Sequence, residues 1–120
     1  MAPFERFHAW QQAHRLVVMV YQLSARWPSQ ERYGLTTQAR RAAISIPTNI
    51  AEGAVKRGPR EFRRYLDVSL GSLGELTYLL RLARDLGYLT DTEYQDVENL
   101  RALAGRLTWR LYQGMSRAST

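Results

Sequence analysis

Apolar side chains return along this chain at alternating steps of three and four residues almost from end to end. That is the period of an amphipathic α-helix with one buried face. In the first segment Phe7, Trp10, His14, Val17, Tyr21 and Ser24 form one such stripe, with Ala13 and Val20 beside it. On that stripe His14 reads as a packed core histidine. Trp27-Pro28 ends the segment, because the residue before a proline is pushed out of the helical region. After a short turn over residues 29–34, a second stripe reads Leu35, Ala39, Ala42, Ala43, Ile46 and Ile50. Pro47 interrupts it, and its missing N–H predicts a kink or a local break.

The third segment is the most regular: Phe62, Leu66, Ser69, Leu73, Leu76, Leu80 and Ala83 keep the pattern without a miss, with Pro59 in the first turn and Gly87 at the end. Thr90-Asp91-Thr92-Glu93 then has the form of a capping box, and Val97, Leu100, Ala104, Leu107 and Leu111 continue inward. The acidic start and basic end of this last segment complement the helix dipole. The pattern therefore predicts helices near 7–26, 35–56, 59–87 and 91–115, with no strand-like alternation and no repeat. Short connections between long helices make neighbours antiparallel, so the expected fold is all-α, an antiparallel up-down-up-down four-helix bundle, in a single domain over residues 1–120.

Composition narrows the function. The chain of 120 residues is 45% hydrophobic and 23% charged, which supports one packed core and excludes a disordered tail. It has no cysteine, which excludes disulfides, thiolate zinc sites and cysteine nucleophiles and is compatible with a reducing cytoplasm. The longest stretches without charge, residues 16–25 and 42–51, are ten residues each, where a membrane span needs about 20. With no signal-peptide pattern at the N-terminus, a soluble cytoplasmic domain is expected. Of the net charge of +6, residues 1–58 hold eight basic and three acidic side chains, residues 59–90 five and four, and residues 91–120 four of each.

No catalytic constellation is visible. Glu5-x-x-His8 has the spacing of di-iron bundles, but those sites need a second such motif and carboxylates from two more helices, so it is set aside as coincidence. Phosphate-loop, nucleophile-elbow and dinucleotide fingerprints are absent, and nothing points to a cofactor or a metal. Three features remain. Ser69, Gly71 and Gly74 mid-helix allow another helix, of this chain or of another subunit, to approach closely. The polar run Ser45, Thr48, Asn49 and Glu52 around Pro47 reads either as a kinked helix whose polar face pairs with arginines of the third helix, or as part of a binding surface. Lys56, Arg57, Arg60, Arg63 and Arg64 place five cations in nine residues against Glu61 alone. They form a solvated face or, with Arg40 and Arg41 if those face outward, a phosphate-backbone footprint.

Taken together, Trp27-Pro28-x-x-Glu31-Arg32-Tyr33-Gly34-Leu35, Arg40-Arg41-Ala42-Ala43, Ser45-Ile46-Pro47-x-Asn49-Ile50-Ala51-Glu52-Gly53 and Gly71-Ser72-x-x-Glu75-Leu76 resemble the bacterial four-helix-bundle family encoded within intervening sequences of large-subunit ribosomal RNA genes. The resemblance covers roughly residues 7–112, with Trp27 where phenylalanine is commoner. That family is similar in fold to the accessory protein of diversity-generating retroelements, a basic pentameric barrel that binds nucleic acid and a reverse transcriptase. The resemblance implies a homo-oligomer, with a pentamer favoured, no enzymatic activity, and a sequence-independent RNA- or DNA-binding scaffold. The competing reading is a protein-interaction scaffold, such as an accessory subunit of a reverse transcriptase.

Overall fold

The computed structural model describes residues 1–119. They form four helices, α1 (His8–Ser24), α2 (Leu35–Ala54), α3 (Gly58–Asp85) and α4 (Asp91–Ala118), with single 3-10 turns at Pro3–Arg6 and Ser29–Glu31 and no strand among them. Each helix packs against its neighbours in chain order and α4 closes back onto α1, giving a body of 46 × 24 × 23 Å. This is the antiparallel all-α bundle that the periodicity predicts. The buried residues make one continuous apolar cluster.

The apolar stripes of α2 and α3 are buried at every position the pattern picks out, and Pro47, Gly53 and Leu79 join them. Helix α1 departs from expectation. Its buried face is Ala9, Ala13, Leu16, Val20 and Ser24, about one position round from the predicted stripe. That stripe had been anchored on Phe7, which precedes the helix as its N-cap residue. His14 is therefore no core histidine: it is exposed and lies flat on Trp10, ring centroids 5.1 Å apart and planes 3° from parallel. Tyr21 is also turned outward. In α4 the buried face is Val97, Leu100, Ala104 and Thr108, whose hydroxyl donates to the Ala104 carbonyl at 2.7 Å. Leu107 and Leu111 are half-buried.

Glycine and capping chemistry set the turns. Gly58 (φ 85°) and Gly87 (φ 80°) are the two described residues with left-handed backbone, the region that favours glycine. At Gly87 the Tyr88 N–H reaches back to the Ala83 carbonyl at 2.9 Å, closing α3 in a Schellman arrangement. This aims the Tyr88 hydroxyl at Glu31, to which it donates at 2.9 Å. The bond holds the phenol above its ordinary pKa, because ionisation would remove the proton that Glu31 accepts. The capping box forms as expected: Glu93 N–H donates to the Thr90 hydroxyl at 3.1 Å and Thr90 N–H to the Glu93 carboxylate at 2.9 Å. The Thr90 N–H bond, helped by Arg26, lowers the Glu93 pKa.

Helix α2 does not break at Pro47; it runs unbroken from residue 35 to 54 with the proline ring buried. Neighbouring polar groups hold the helix here. Asn49 donates to the Ser45 carbonyl at 2.8 Å and to its hydroxyl at 3.1 Å. From α3, Ser69 donates to the Ile46 carbonyl at 2.8 Å and Ser72 to the Ser45 hydroxyl at 2.7 Å. The polar run of α2 thus bonds to serines of α3, and no α3 arginine pairs with Asn49 or Glu52 among the described residues. Helix-to-helix closeness comes from Gly53, not from Gly71 and Gly74. A Cβ on Gly53 would sit 2.7 Å from Phe62 Cδ1 and 2.9 Å from Tyr65 Cβ, whereas one on Gly71 or Gly74 would meet nothing within 4 Å.

Gly53→Ala is therefore expected to destabilise the fold by about 1–3 kcal/mol, the range for overpacking. Gly114→Ala, where a Cβ meets nothing, is expected to be neutral or stabilising by up to about 1 kcal/mol. Denaturant unfolding of both variants reads the difference. Equal stabilities would show that α2 and α3 do not depend on the missing side chain.

Candidate nucleic-acid interface

The turn of residues 55–57 carries the chain from α2 into α3, and the basic cluster straddles it. Lys56, Arg57, Arg60 and Arg64 are exposed and Arg63 is half-buried. Because Phe62 and Leu66 face the core, Arg60 and Arg64 fall on the opposite side of α3, with Arg63 on its flank towards α4. The Lys56 ammonium sits 5.3 Å from the Tyr65 ring centre. Arg63 donates to the Ser119 hydroxyl at 3.4 Å, tying this end of α3 to the end of α4. Arg64 forks onto Glu61 at 3.2 and 3.3 Å. Both partners are well exposed, so solvent screens the pair and leaves the guanidinium available to a competing anion.

Arg40 and Arg41 stand apart from this cluster. They lie 15 or more residues before Lys56 on α2, roughly 22 Å or more along a helix rising 1.5 Å per residue. Arg40 is held against α1. Its Nε donates to the Ser24 hydroxyl at 2.9 Å and its Nη2 to the Tyr21 carbonyl at 3.4 Å, with the guanidinium 4.4 Å from the Tyr21 ring centre. Arg41 is exposed and borders a groove shared with Ser45, Ser72 and Glu75.

The topology adds cations that lie far away in sequence. Phe7 packs on Phe62 at 5.6 Å, and Phe7 and His8 share a groove with Arg110 and Leu111. The start of α1, the α2–α3 turn and the end of α4 therefore occupy one end of the bundle. Residues 1–8, 52–64 and 106–119 together hold nine basic and three acidic side chains, a surplus of six that equals the net charge of the whole chain. The opposite end, residues 22–36 and 78–98, holds four basic and six acidic. The arginines at 106, 110 and 117 read from sequence as dipole-complementing charges; folding the charge map onto the up-down topology is what reveals their company.

Chemically this end offers multiple guanidinium forks, which suit phosphate oxygens better than ammonium groups do. Tyr88 and Glu93, the groups whose pKa values move, have structural partners and lie at the other end. No cluster of three or more histidine, aspartate or glutamate side chains able to hold a metal occurs among the described residues. No helix of these residues is long and apolar enough to cross a membrane.

Comparison with known proteins agrees with the fold. The family model described as 23S rRNA-intervening sequence protein matches residues 5–108. A crystal structure of a protein of unknown function from the S23 ribosomal protein family, from Bacteroides thetaiotaomicron VPI-5482, superposes with a TM-score of 0.80 at 21% identity, covering 87% of this chain and 97% of the other. No curated protein matches the chain.

Proposed function

This chain belongs to the 23S rRNA-intervening sequence protein family, and on that premise we propose that it is a non-catalytic, homo-oligomeric scaffold binding RNA or DNA through the phosphate backbone. The observation that carries this reading is the segregation of charge, with the whole surplus of +6 on one end of a 46 Å bundle. Lys56, Arg57, Arg60, Arg63 and Arg64 form its centre, and the N-terminus of α3, which no side chain caps, points its dipole the same way. Contacts of this kind hold a strand without reading it, since base edges need a groove-entering element with aimed donors and acceptors.

Assembly is supported by the outer face of α3. Gly71 and Gly74 lie on it with open space around them, and glycine in a helix interior costs about 1 kcal/mol relative to alanine. Val68 and Tyr78, exposed on the same face, flank them. Close approach by a second copy is the simplest use of such a surface, and a ring of copies, a pentamer by resemblance to the family's relatives, would join the basic ends into a continuous belt.

Gel retardation of duplex and single-stranded nucleic acid tests the binding. Log affinity should fall linearly with log salt, by roughly 0.9 per phosphate neutralised on duplex and 0.7 on single strands. Changing Arg60, Arg63 and Arg64 together to Glu should weaken binding and flatten that slope while leaving the helical signal intact. Absence of retardation at low salt would make the basic end a solvated face and give first place to a protein-interaction scaffold. Light scattering at tens of micromolar tests assembly: the wild type is expected to be oligomeric and Gly74→Arg dissociated, whereas a monomeric wild type would overturn that part.

A further inference from the structure

Trp109 stands 49% exposed on the C-terminal half of α4, within the basic end of the bundle. Half an indole left in water forgoes favourable burial, and this one is held there. Its ring centroid lies 5.4 Å from that of Tyr112, with the planes 14° from parallel. Tyr112 is itself packed against the core, so the pair is anchored.

The other side of the indole is open. Helical side chains lean towards the N-terminus of their helix, so Tyr112 covers Trp109 from the C-terminal side. One turn earlier, below the opposite side of the ring, stands Gly105. Apart from the helix's own backbone, a Cβ at Gly105 would meet only Arg101 Nη1, at 3.7 Å, among the described residues. Glycine inside a helix weakens it, and Gly105 admits no neighbouring helix to offset that. Its effect is a notch beside the indole, bordered by Arg106.

The charge around this notch has one sign. After Glu98 the sequence holds no further acidic side chain, while Arg101, Arg106, Arg110 and Arg117 follow. Arg101 donates to the Glu98 carboxylate at 2.7 and 2.8 Å. Arg106 and Arg110, on either side of Trp109, are exposed and enter no ion pair among the described residues. Further along α4, Ser119 accepts from Arg63 of the basic cluster, about 15 Å from Trp109 at the helical rise.

A polyanion drawn to these cations meets an oriented aromatic ring with one side uncovered. Phosphate has no use for that ring, whereas any unpaired base can stack on it, whatever its identity. In a duplex the base faces are already covered by neighbouring pairs. We propose that Trp109 is a base-stacking platform: a single strand places an unpaired base on the indole over Gly105 and adjoining phosphates on Arg106 and Arg110. Backbone contact at the basic end, proposed above, is the premise; stacking adds a contact that only single strands can make.

Binding isotherms at low salt test this with oligo-dT and oligo-U of about 15 nucleotides, an abasic strand of equal length and the matching duplex. The wild type should bind the strands with bases at least about tenfold tighter than the abasic strand, and these strands should quench the fluorescence that Trp109→Phe removes. The tighter of oligo-dT and oligo-U names DNA or RNA as the strand. Trp109→Ala should lower the ratio of single-strand to duplex affinity by about tenfold. Gly105→Leu, which fills the notch and keeps the indole, should lower it in the same direction with the helical signal intact. An equal change on strand, abasic strand and duplex, or none at all, overturns the platform and leaves backbone binding standing wherever the duplex is still retarded. Failure of every probe to bind removes the backbone reading and the platform together. Dissociation of the assembly by Trp109→Ala, seen in light scattering, would make the ring a subunit contact and likewise overturn the assignment.

Discussion

The seam between α2 and α3 is the constraint on which the rest of this bundle depends. It combines a buried hydrogen bond from Ser69 to the Ile46 carbonyl, a second from Ser72 to Ser45, and the absent side chain of Gly53, into whose place Phe62 and Tyr65 press. Both serines act beside Pro47, where the helix has lost one of its own donors. A proline that would weaken an isolated helix is thereby seated in a wall where a partner helix supplies polar contacts next to it. Ser69 is fully buried, so its hydroxyl needs the Ile46 carbonyl as much as the seam needs the serine.

That seam fixes where the charged groups go. With Gly53 against Phe62, the chain turns within residues 55–57 and α3 must start with its core side already committed. Arg60 and Arg64 are then turned out, Arg63 lies on the flank against the end of α4, and Lys56 and Arg57 are held on the turn itself. The antiparallel return of α4 brings its basic C-terminal half to the same place. At the other end, Glu31 both accepts from the first amide of α2 and receives the Tyr88 hydroxyl, so one carboxylate joins the α1–α2 and α3–α4 connections. The two ends of the bundle are thus built differently, one from a surplus of cations and one from a hydrogen-bonded junction around Glu31.

Much of this was legible in the sequence because long helices with an unbroken apolar stripe leave little choice of which face is buried. The stripe of α3, the capping box at Thr90 and the core positions of α2 were read correctly from spacing alone. Helix α1 was misread by about one position, since Phe7 and Trp10 weigh heavily in any hydrophobic pattern while small Ala9 and Ala13 weigh little, yet it is the small residues that let the helix lie close. Of the two uses open to Gly71 and Gly74, packing within the chain is not the one they serve, since spacing cannot distinguish a glycine that receives a neighbour from one on an outer face; Gly53, at the end of its helix, is the one that α3 packs against. Arg40 looked like its neighbour Arg41, and only the tertiary contact with Tyr21 and Ser24 separates them. The arginines of α4 joined the basic end through topology, a long-range property that no local window contains.

Native-state hydrogen exchange tests the central claim, that the α2–α3 seam is the frame of the molecule. Amides of residues 46, 48–53 and 66–73 are expected to exchange only through global unfolding, with a free energy equal to that from denaturant melts, while those of α1 and the end of α4 open at lower free energy. If the amides along the seam exchange through a local opening while α1 and α4 stay protected, the seam is a consequence of the bundle and not its foundation.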